Sequence, residues 1–175
     1  MPRSSSLVKC YTAAVDAGIP KIRLAMAADV PQLALLWLES AEYHARLAPE
    51  YYELSAGAHD RVEALLRGGL SGVGRVTLLV EMDREVTGFV QLEISEVAVF
   101  RRSRRGNVYN LSVAGRFRRR GLARQLMAAA IEWFRRERVQ IVQLNVADAN
   151  QPALGLYEDL GFKIVNRNLC RVLDG

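Results

Sequence analysis

At 175 residues, half of them hydrophobic, the chain is long enough for one domain with a real core and too apolar for general disorder. Its net charge of +5 favours anionic partners without choosing among them. Cys10 and Cys170 sit near opposite ends with no metal-ligand spacing, and no apolar run reaches membrane-spanning length, so no metal site and no membrane span are expected. Residues 1–6 lack the apolar stretch of a signal peptide, and a reduced, cytoplasmic setting is the expectation.

Residues 1–20 show little periodicity and are expected to form a loosely held N-terminal extension, within which residues 7–14 can add a short element. Residues 21–175 then make up a single domain. Residues 21–25 read as a first strand. Asp29 is a fair helix cap with Pro31 just inside, and Leu33, Leu36, Trp37, Ser40 and His44 define one face of the helix that follows. Residues 48–57 form a loop carrying Pro49, Tyr51 and Tyr52, after which Val62, Leu65 and Leu66 predict a second helix. Four glycines within residues 67–75 mark a flexible connection. Residues 76–82 and 86–95 are β-rich runs around Asp83-Arg84-Glu85, the pattern of a hairpin. Alternation in the second run places Gln91, Glu93 and Ser95 on one face and Val90, Leu92 and Ile94 on the other.

A basic connection, residues 100–106, leads to a strand at residues 108–113 and then to the arginine-rich turn Arg118-Arg119-Arg120-Gly121. The turn opens into an amphipathic helix in which Leu122, Leu126, Met127, Ala130, Trp133 and Phe134 recur at helical spacing. A strand that turns into a helix N-terminus exposes unpaired N–H groups beside a positive dipole end, which is a pocket for a diphosphate. Gly121 lets the main chain approach a ligand, and the small Ala123 does not block it. Residues 140–147 are a further apolar strand. A short helix follows, with Pro152 early in it and Gly161 as its left-handed closing residue. Residues 162–165 and 169–173 can pair as a closing hairpin. The order βααβββαβαβ(β) predicts an α/β fold: a mixed, mostly antiparallel sheet with helices on both faces.

The turn lacks the Lys-Ser/Thr of a Walker A loop and has no G-x-G-x-x-G. It resembles instead the Gln/Arg-x-x-Gly-x-Gly/Ala signature of the GCN5-related N-acetyltransferases, as Arg118-x-x-Gly121-x-Ala123. A second segment, Asn150-Gln-Pro-Ala153-Leu-Gly-Leu-Tyr157-Glu-Asp-Leu-Gly161-Phe162, is similar to that family's later motif. A weaker third likeness spans Ile22-Arg23-Leu-Ala25 and Asp29-Val-Pro31-Gln-Leu33. The resemblance covers most of the chain in the expected order. It implies a fold whose two central strands splay apart, with acetyl-coenzyme A (acetyl-CoA) bound between them.

The implied reaction is acyl transfer from a thioester to an amine, which must lose a proton before it attacks. By resemblance, the backbone of Leu111, Ser112 and Val113 pairs with the pantetheine arm, and the Val113 N–H polarises the thioester carbonyl. The N–H groups of Arg118, Arg119, Arg120, Gly121, Leu122, Ala123 and Arg124 hold the pyrophosphate. Asn150 binds the arm, and Tyr157 stands near the sulfur as general acid. From the residues alone, the turn also reads as a solvated basic helix start, Asn150 as a helix cap and Tyr157 as a half-buried core aromatic. Many relatives carry a carboxylate on the strand before the turn, whereas this strand reads Asn107-Val-Tyr109-Asn110-Leu111. Glu93, Glu96 or a water held by backbone and Tyr109 are the candidates for taking the proton. The plain reading of Glu93 is surface charge.

The acceptor region implied is residues 43–54, with Tyr43, His44, Tyr51 and Tyr52 as lining; His44 reads first as a packed histidine. The glutamates at 39, 42, 50 and 53 read as surface charge that can also attract a cationic amine. The acceptor is a small-molecule or peptide amine. The terminal hairpin and the basic helices offer surfaces for a homodimer. Two rivals stand beside this reading. One is an acyl-CoA-binding module without an effective base. The other is a nucleic-acid-associated protein, against which stands the absence of aromatics interleaved with the arginines.

Overall fold

The computed structural model describes residues 18–173. Residues 1–17, which include Cys10 and nearly all of the expected N-terminal extension, and residues 174–175 lie outside the described part. The chain order is β1 (Lys21–Leu24), α1 (Val30–Leu47), α2 (Pro49–Tyr52), α3 (Ala58–Gly69), β2 (Ser71–Gly72), β3 (Arg75–Met82), β4 (Glu85–Glu96), β5 (Arg104–Val113), α4 (Leu122–Arg136), β6 (Ile141–Leu144) and α5 (Gln151–Asp159). The sheet has six strands in the order β1-β3-β4-β5-β6, with β2 also paired to β3. All pairings are antiparallel except β5 with β6. The parallel step is possible because α4 supplies the crossover between those two strands.

Alternation along the central strands builds two cores. Leu78, Val80, Val90, Leu92, Val108 and Val113 face α4 and meet Leu122, Leu126, Met127, Ala130, Trp133 and Phe134, the stripe that helical spacing predicts. Leu79, Val86 and Phe89 face the other way and meet Val30, Leu33, Ala34 and Leu36 of α1 with Val62 and Leu66 of α3. Helices thus cover both faces of a mostly antiparallel sheet, the expected class. Each fully buried Leu or Phe contributes roughly 1.5–3 kcal/mol relative to exposure. The β3–β4 hairpin turns at Asp83 and Arg84, both at positive φ (49° and 65°), as a two-residue turn matched to strand twist requires.

Several boundaries differ from the sequence expectation. Pro49–Tyr52, expected as loop, is one turn of helix that begins on Pro49. β5 starts at Arg104 rather than 108, because the ladder with β4 runs on to Arg104 opposite Glu96, whose side chains form an ion pair at 2.9 Å. The closing hairpin is corrected outright: residues 162–173 form no strand. Ile164, Val165, Leu169, Val172 and Leu173 are exposed there, so the two short runs have no face to bury, and an isolated two-stranded pair is marginal without one.

One ion cluster fastens β1 to the start of α1. Arg23 donates to both carboxylate oxygens of Asp29 (2.7 and 2.8 Å) and to Glu81 (2.9 Å), while the Met26 N–H reaches Asp29 at 2.8 Å. The Arg23 hydrogen bond holds the Asp29 carboxyl below its ordinary range, against the opposing effect of burial. A carboxyl lowered in the folded state stabilises the fold above the unfolded value of about 3.9 and ceases to do so as pH falls through its folded value. Asp29→Asn is expected to lower Tm at pH 7 and to flatten the acid loss below about pH 4, as measured by thermal melts across pH.

Candidate functional site

β5 carries one extra residue. Its register with β4 pairs Tyr109 with Gln91 and Ser112 with Phe89, so Asn110 and Leu111 together oppose Val90. This is a β-bulge, and Asn110 adopts the left-handed conformation at φ 51°. Two hydrogen bonds show what the bulge does. Before it, the Arg104 carbonyl accepts from Gln140 N (3.0 Å) and so faces away from β4; after it, Ala114 N donates to Thr87 O (2.9 Å) and so faces β4. Alternation then turns the N–H groups of Leu111 and Val113 away from β4. Ser112, between them, turns its backbone to β4 and its hydroxyl to the Leu36 carbonyl (3.0 Å).

That outward edge is open. β6 pairs with β5 only from Arg105↔Ile141 to Val108↔Leu144, and beyond Val108 no strand among the described residues covers it. The two strands therefore part where the bulge aims N–H groups into the gap.

After β5 the chain makes a short turn at Gly115–Phe117 and reaches the arginine corner. Arg119 (φ 64°) and Gly121 (φ 77°) are both left-handed, which rolls successive N–H groups onto one side. Backbone bonds close on either side, Arg118 N to Gly115 O at 3.2 Å and Gln125 N to Gly121 O at 3.0 Å. The N–H groups of residues 119–124 have no partner among the described residues. Gly121 has open space where a Cβ would stand, so among the described residues nothing crowds the main chain there. The dipole of α4 adds positive potential there.

The arginine side chains are mostly engaged elsewhere. Arg118 donates to Val113 O (3.0 Å) and Glu39 (3.1 Å) and lies over the Tyr43 ring. Arg116 pairs with Glu85, Arg120 stacks on Phe117, and Arg124 bonds Asp159 of α5 at 2.7 Å. Leu122 and Ala123 direct their side chains to the α4-side core. Arg119 is exposed with no side-chain hydrogen bond or ion pair among the described residues, so the corner offers a ligand main-chain N–H groups with guanidinium charge beside them.

The α5 motif borders the same gap. Tyr157, Leu111 and Leu144 pack against one apolar cluster that includes Val113 and Leu122. Desolvation pushes the Tyr157 phenol up to about 12, so it keeps its proton at neutral pH. Phe162 stands edge-on to its ring at 5.9 Å, and Gly161 (φ 83°) closes the helix. Asn150 caps α5 by accepting from Ala153 N at 3.3 Å, while its amide nitrogen makes no hydrogen bond among the described residues.

On the opposite face of the sheet, Glu93 shares a side with Gln91 and Tyr109, towards α1 and α3. Its carboxylate is 31% exposed and accepts from Arg75, its partner across β3. Burial first, then the charge of Glu93 and a hydrogen bond to it, raise the Tyr109 phenol. Glu96 lies at the sheet end, paired with Arg104. Tyr43, His44, Tyr51 and Tyr52 do meet: ring centroids are 5.7 Å apart for Tyr43–His44, 5.3 Å for His44–Tyr52 and 4.8 Å for Tyr51–Tyr52. The His44 Nδ1 donates to Ser40 O at 2.7 Å, in keeping with a packed histidine. A cavity of about 620 Å³ beside them is lined by Glu42, Arg46, Glu50 and Glu53.

Sequence reading missed Glu39, Trp37 and Asn110 as site residues. Glu39 accepts from Gly115 N (2.8 Å) and Arg118, and Trp37 donates to Asn110 (3.2 Å). These pairs lie more than seventy positions apart, and no local pattern signals them.

Comparison with known proteins identifies the fold and the family. No curated protein matches the chain significantly. Solved structures do: a transcriptional regulator from Bacillus halodurans C-125 (TM-score 0.70, 18% identity, covering 89% of this chain and 100% of that one); a predicted acetyltransferase from Clostridium acetobutylicum, solved with acetyl-CoA (0.67, 14%, 88% and 96%); and glucosamine-6-phosphate N-acetyltransferase from Arabidopsis thaliana (0.64, 16%, 89% and 99%). At such identities these likenesses show a shared fold. The family model for the acetyltransferase (GNAT) family matches residues 34–162, from α1 to just past α5, and takes in the bulge, the open edge, the corner and the capped helix. On that match the chain belongs to the acetyltransferase (GNAT) family.

Proposed function

We propose that the protein is an acetyl-CoA-dependent N-acetyltransferase that moves an acetyl group directly to a primary amine in a ternary complex. One observation carries this reading: main-chain donors without a partner among the described residues run from Leu111 and Val113, on the open edge of β5, to residues 119–124 at the start of α4. That spacing of donors suits a ligand with an amide-bearing arm at one end and a diphosphate at the other. Acetyl-CoA is such a molecule, and it supplies the acetyl thioester.

The roles follow from position. The N–H groups of Arg119, Arg120, Gly121, Leu122, Ala123 and Arg124 hold the diphosphate, and the Arg118 side chain braces the corner from behind. The thioester lies at the end of the arm away from the diphosphate, so Val113, nearer the corner, pairs with the arm, and Ser112 fixes the strand to α1. The Leu111 N–H, farther from the corner along β5, meets the negative charge that develops on the carbonyl oxygen. Asn150 has a free amide nitrogen for the arm. Tyr157 holds the proton that the departing sulfur takes up. Glu93, held in place by Arg75 and beside Tyr109, takes the amine proton on the α1 side of the sheet. The acceptor enters past Tyr43, Tyr51 and Tyr52. Neither cysteine is asked to form an acyl-enzyme. Because Glu93 is already ion-paired, acetyl-CoA binding without turnover on a broad amine panel would favour a cofactor-binding module instead.

Three measurements test these roles. Gly121→Glu is expected to abolish acetyl-CoA binding in calorimetry, since the new side chain needs a left-handed backbone and puts a carboxylate at the diphosphate; unchanged affinity would refute the corner assignment. Tyr157→Phe should cut turnover by roughly 100-fold while acetyl-CoA affinity moves far less, with wild-type rate held on the alkaline side because the phenol titrates only near 12; equal rates at every pH would remove the acid role. Glu93→Gln should depress the rate most at low pH, the deficit closing as pH rises towards the amine pKa of about 10, where the acceptor loses its proton unaided. A wild-type pH profile would return Glu93 to ordinary surface charge.

A further inference from the structure

The bulge at Asn110 needs something to hold it. A left-handed asparagine inside a strand is a strained choice that persists only where its surroundings fix it. Here they do so through one chain of hydrogen bonds. The Trp37 Nε1–H of α1 donates to Asn110 Oδ1 (3.2 Å), and Asn110 Nδ2 donates to Gln91 Oε1 (2.6 Å). Buried Gln91 donates in turn to Thr77 Oγ1 (3.3 Å) and the Gly69 carbonyl (3.4 Å) at the end of α3. Both ends of the Asn110 amide are thus engaged, each by a different element.

We infer that Trp37, Asn110 and Gln91 are positioning residues for the thioester carbonyl: they keep the extra residue at Asn110, and so keep the Leu111 and Val113 N–H groups aimed into the gap between β5 and β6. The inference rests on the acetyl-CoA reading given above. Its physical basis is parity. Without the bulge, residues 110, 112 and 114 would carry the outward N–H groups; with it, Leu111 and Val113 do. Loosening the side-chain chain lets the strand relax towards the other arrangement and withdraws the donor from the carbonyl. None of the three hydrogen-bonds to residues 118–124 among the described residues, so the grip on the diphosphate is kept while the carbonyl loses its donor.

The test uses the full chain with acetyl-CoA labelled with ¹³C at the thioester carbonyl. In wild type the carbonyl infrared band is expected to move to lower frequency on binding, the signature of a donated hydrogen bond. Trp37→Phe keeps the ring and loses the indole N–H; Asn110→Gly keeps the left-handed backbone and loses both side-chain bonds. In each, the band should return towards its free position and turnover on the best amine of a panel should fall roughly 10-fold, while calorimetric affinity for acetyl-CoA falls less, by about three-fold, for the one main-chain bond to the arm that is lost with it. Asn110→Asp, which still accepts from Trp37, should recover part of the band shift. A full wild-type shift in both Trp37→Phe and Asn110→Gly overturns the inference, as does an affinity loss as large as the loss of turnover. Binding to wild type without any shift overturns the donor assignment and this inference together. No binding to wild type overturns the acetyl-CoA reading and takes the inference with it.

Discussion

The extra residue that β5 carries at Asn110 decides which way every later main-chain group of the strand faces. Up to Val108 the strand is an ordinary member of the sheet, shared between β4 and β6. Past the bulge its parity is reversed, β6 has ended, and two N–H groups that would otherwise lie on the β4 side face a gap. The same reversal moves side chains. Leu111 and Val113 join Val108 on the α4 face, and Ser112 turns to α1. The end of β6 leaves the edge open, and the one insertion chooses which N–H groups face it and which side chains stand behind it.

The strong positive charge plays a different part from the one its amount suggests. Arg116, Arg118 and Arg124 are bound to Glu85, Glu39 and Asp159 of the same chain, and their pairs join the corner to the β3–β4 hairpin, to α1 and to α5. Exposed ion pairs of this kind add little stability singly. Their effect is geometric: they hold a corner with two left-handed residues open, with its N–H groups clear of the protein. The corner's main-chain N–H groups and the α4 dipole are fixed by the fold, with exposed Arg119 beside them.

α1 ties the two halves of the site together. From one helix, Leu36 accepts from Ser112, Trp37 donates to Asn110, and Glu39 accepts from Gly115 and Arg118. The helix that carries Tyr43 and His44 therefore also grips the strand end and the turn. Its own start is fixed by Arg23 and Asp29, and the buried face that seats it on the sheet runs through Val30, Leu33, Ala34 and Leu36.

Local sequence determined a great deal here. Period-two alternation in residues 86–95 and the helical stripe from Leu122 to Phe134 specify which faces are apolar, and burial follows because those faces have no alternative to each other. Gly121 and Gly161, with Asn150 and Pro152, mark the corner and the capped helix through backbone preferences that depend on neighbours a few positions away. The chain's last dozen described residues show the limit: their β-like composition forms no strand, because strand formation needs a partner and a face to bury, and neither is encoded locally. The bulge is a second case. Asn110 is an ordinary strand residue on paper, and only the register with β4 shows it to be supernumerary. Tertiary structure alone decided that Trp37 and Gln91 reach it and that Glu39 lies under the corner, since these pairings join α1 or β4 to the bulge in β5 and the turn after it. Short-range preference set the elements and their apolar faces; long-range register set where the polar groups point, and it is there that the site resides.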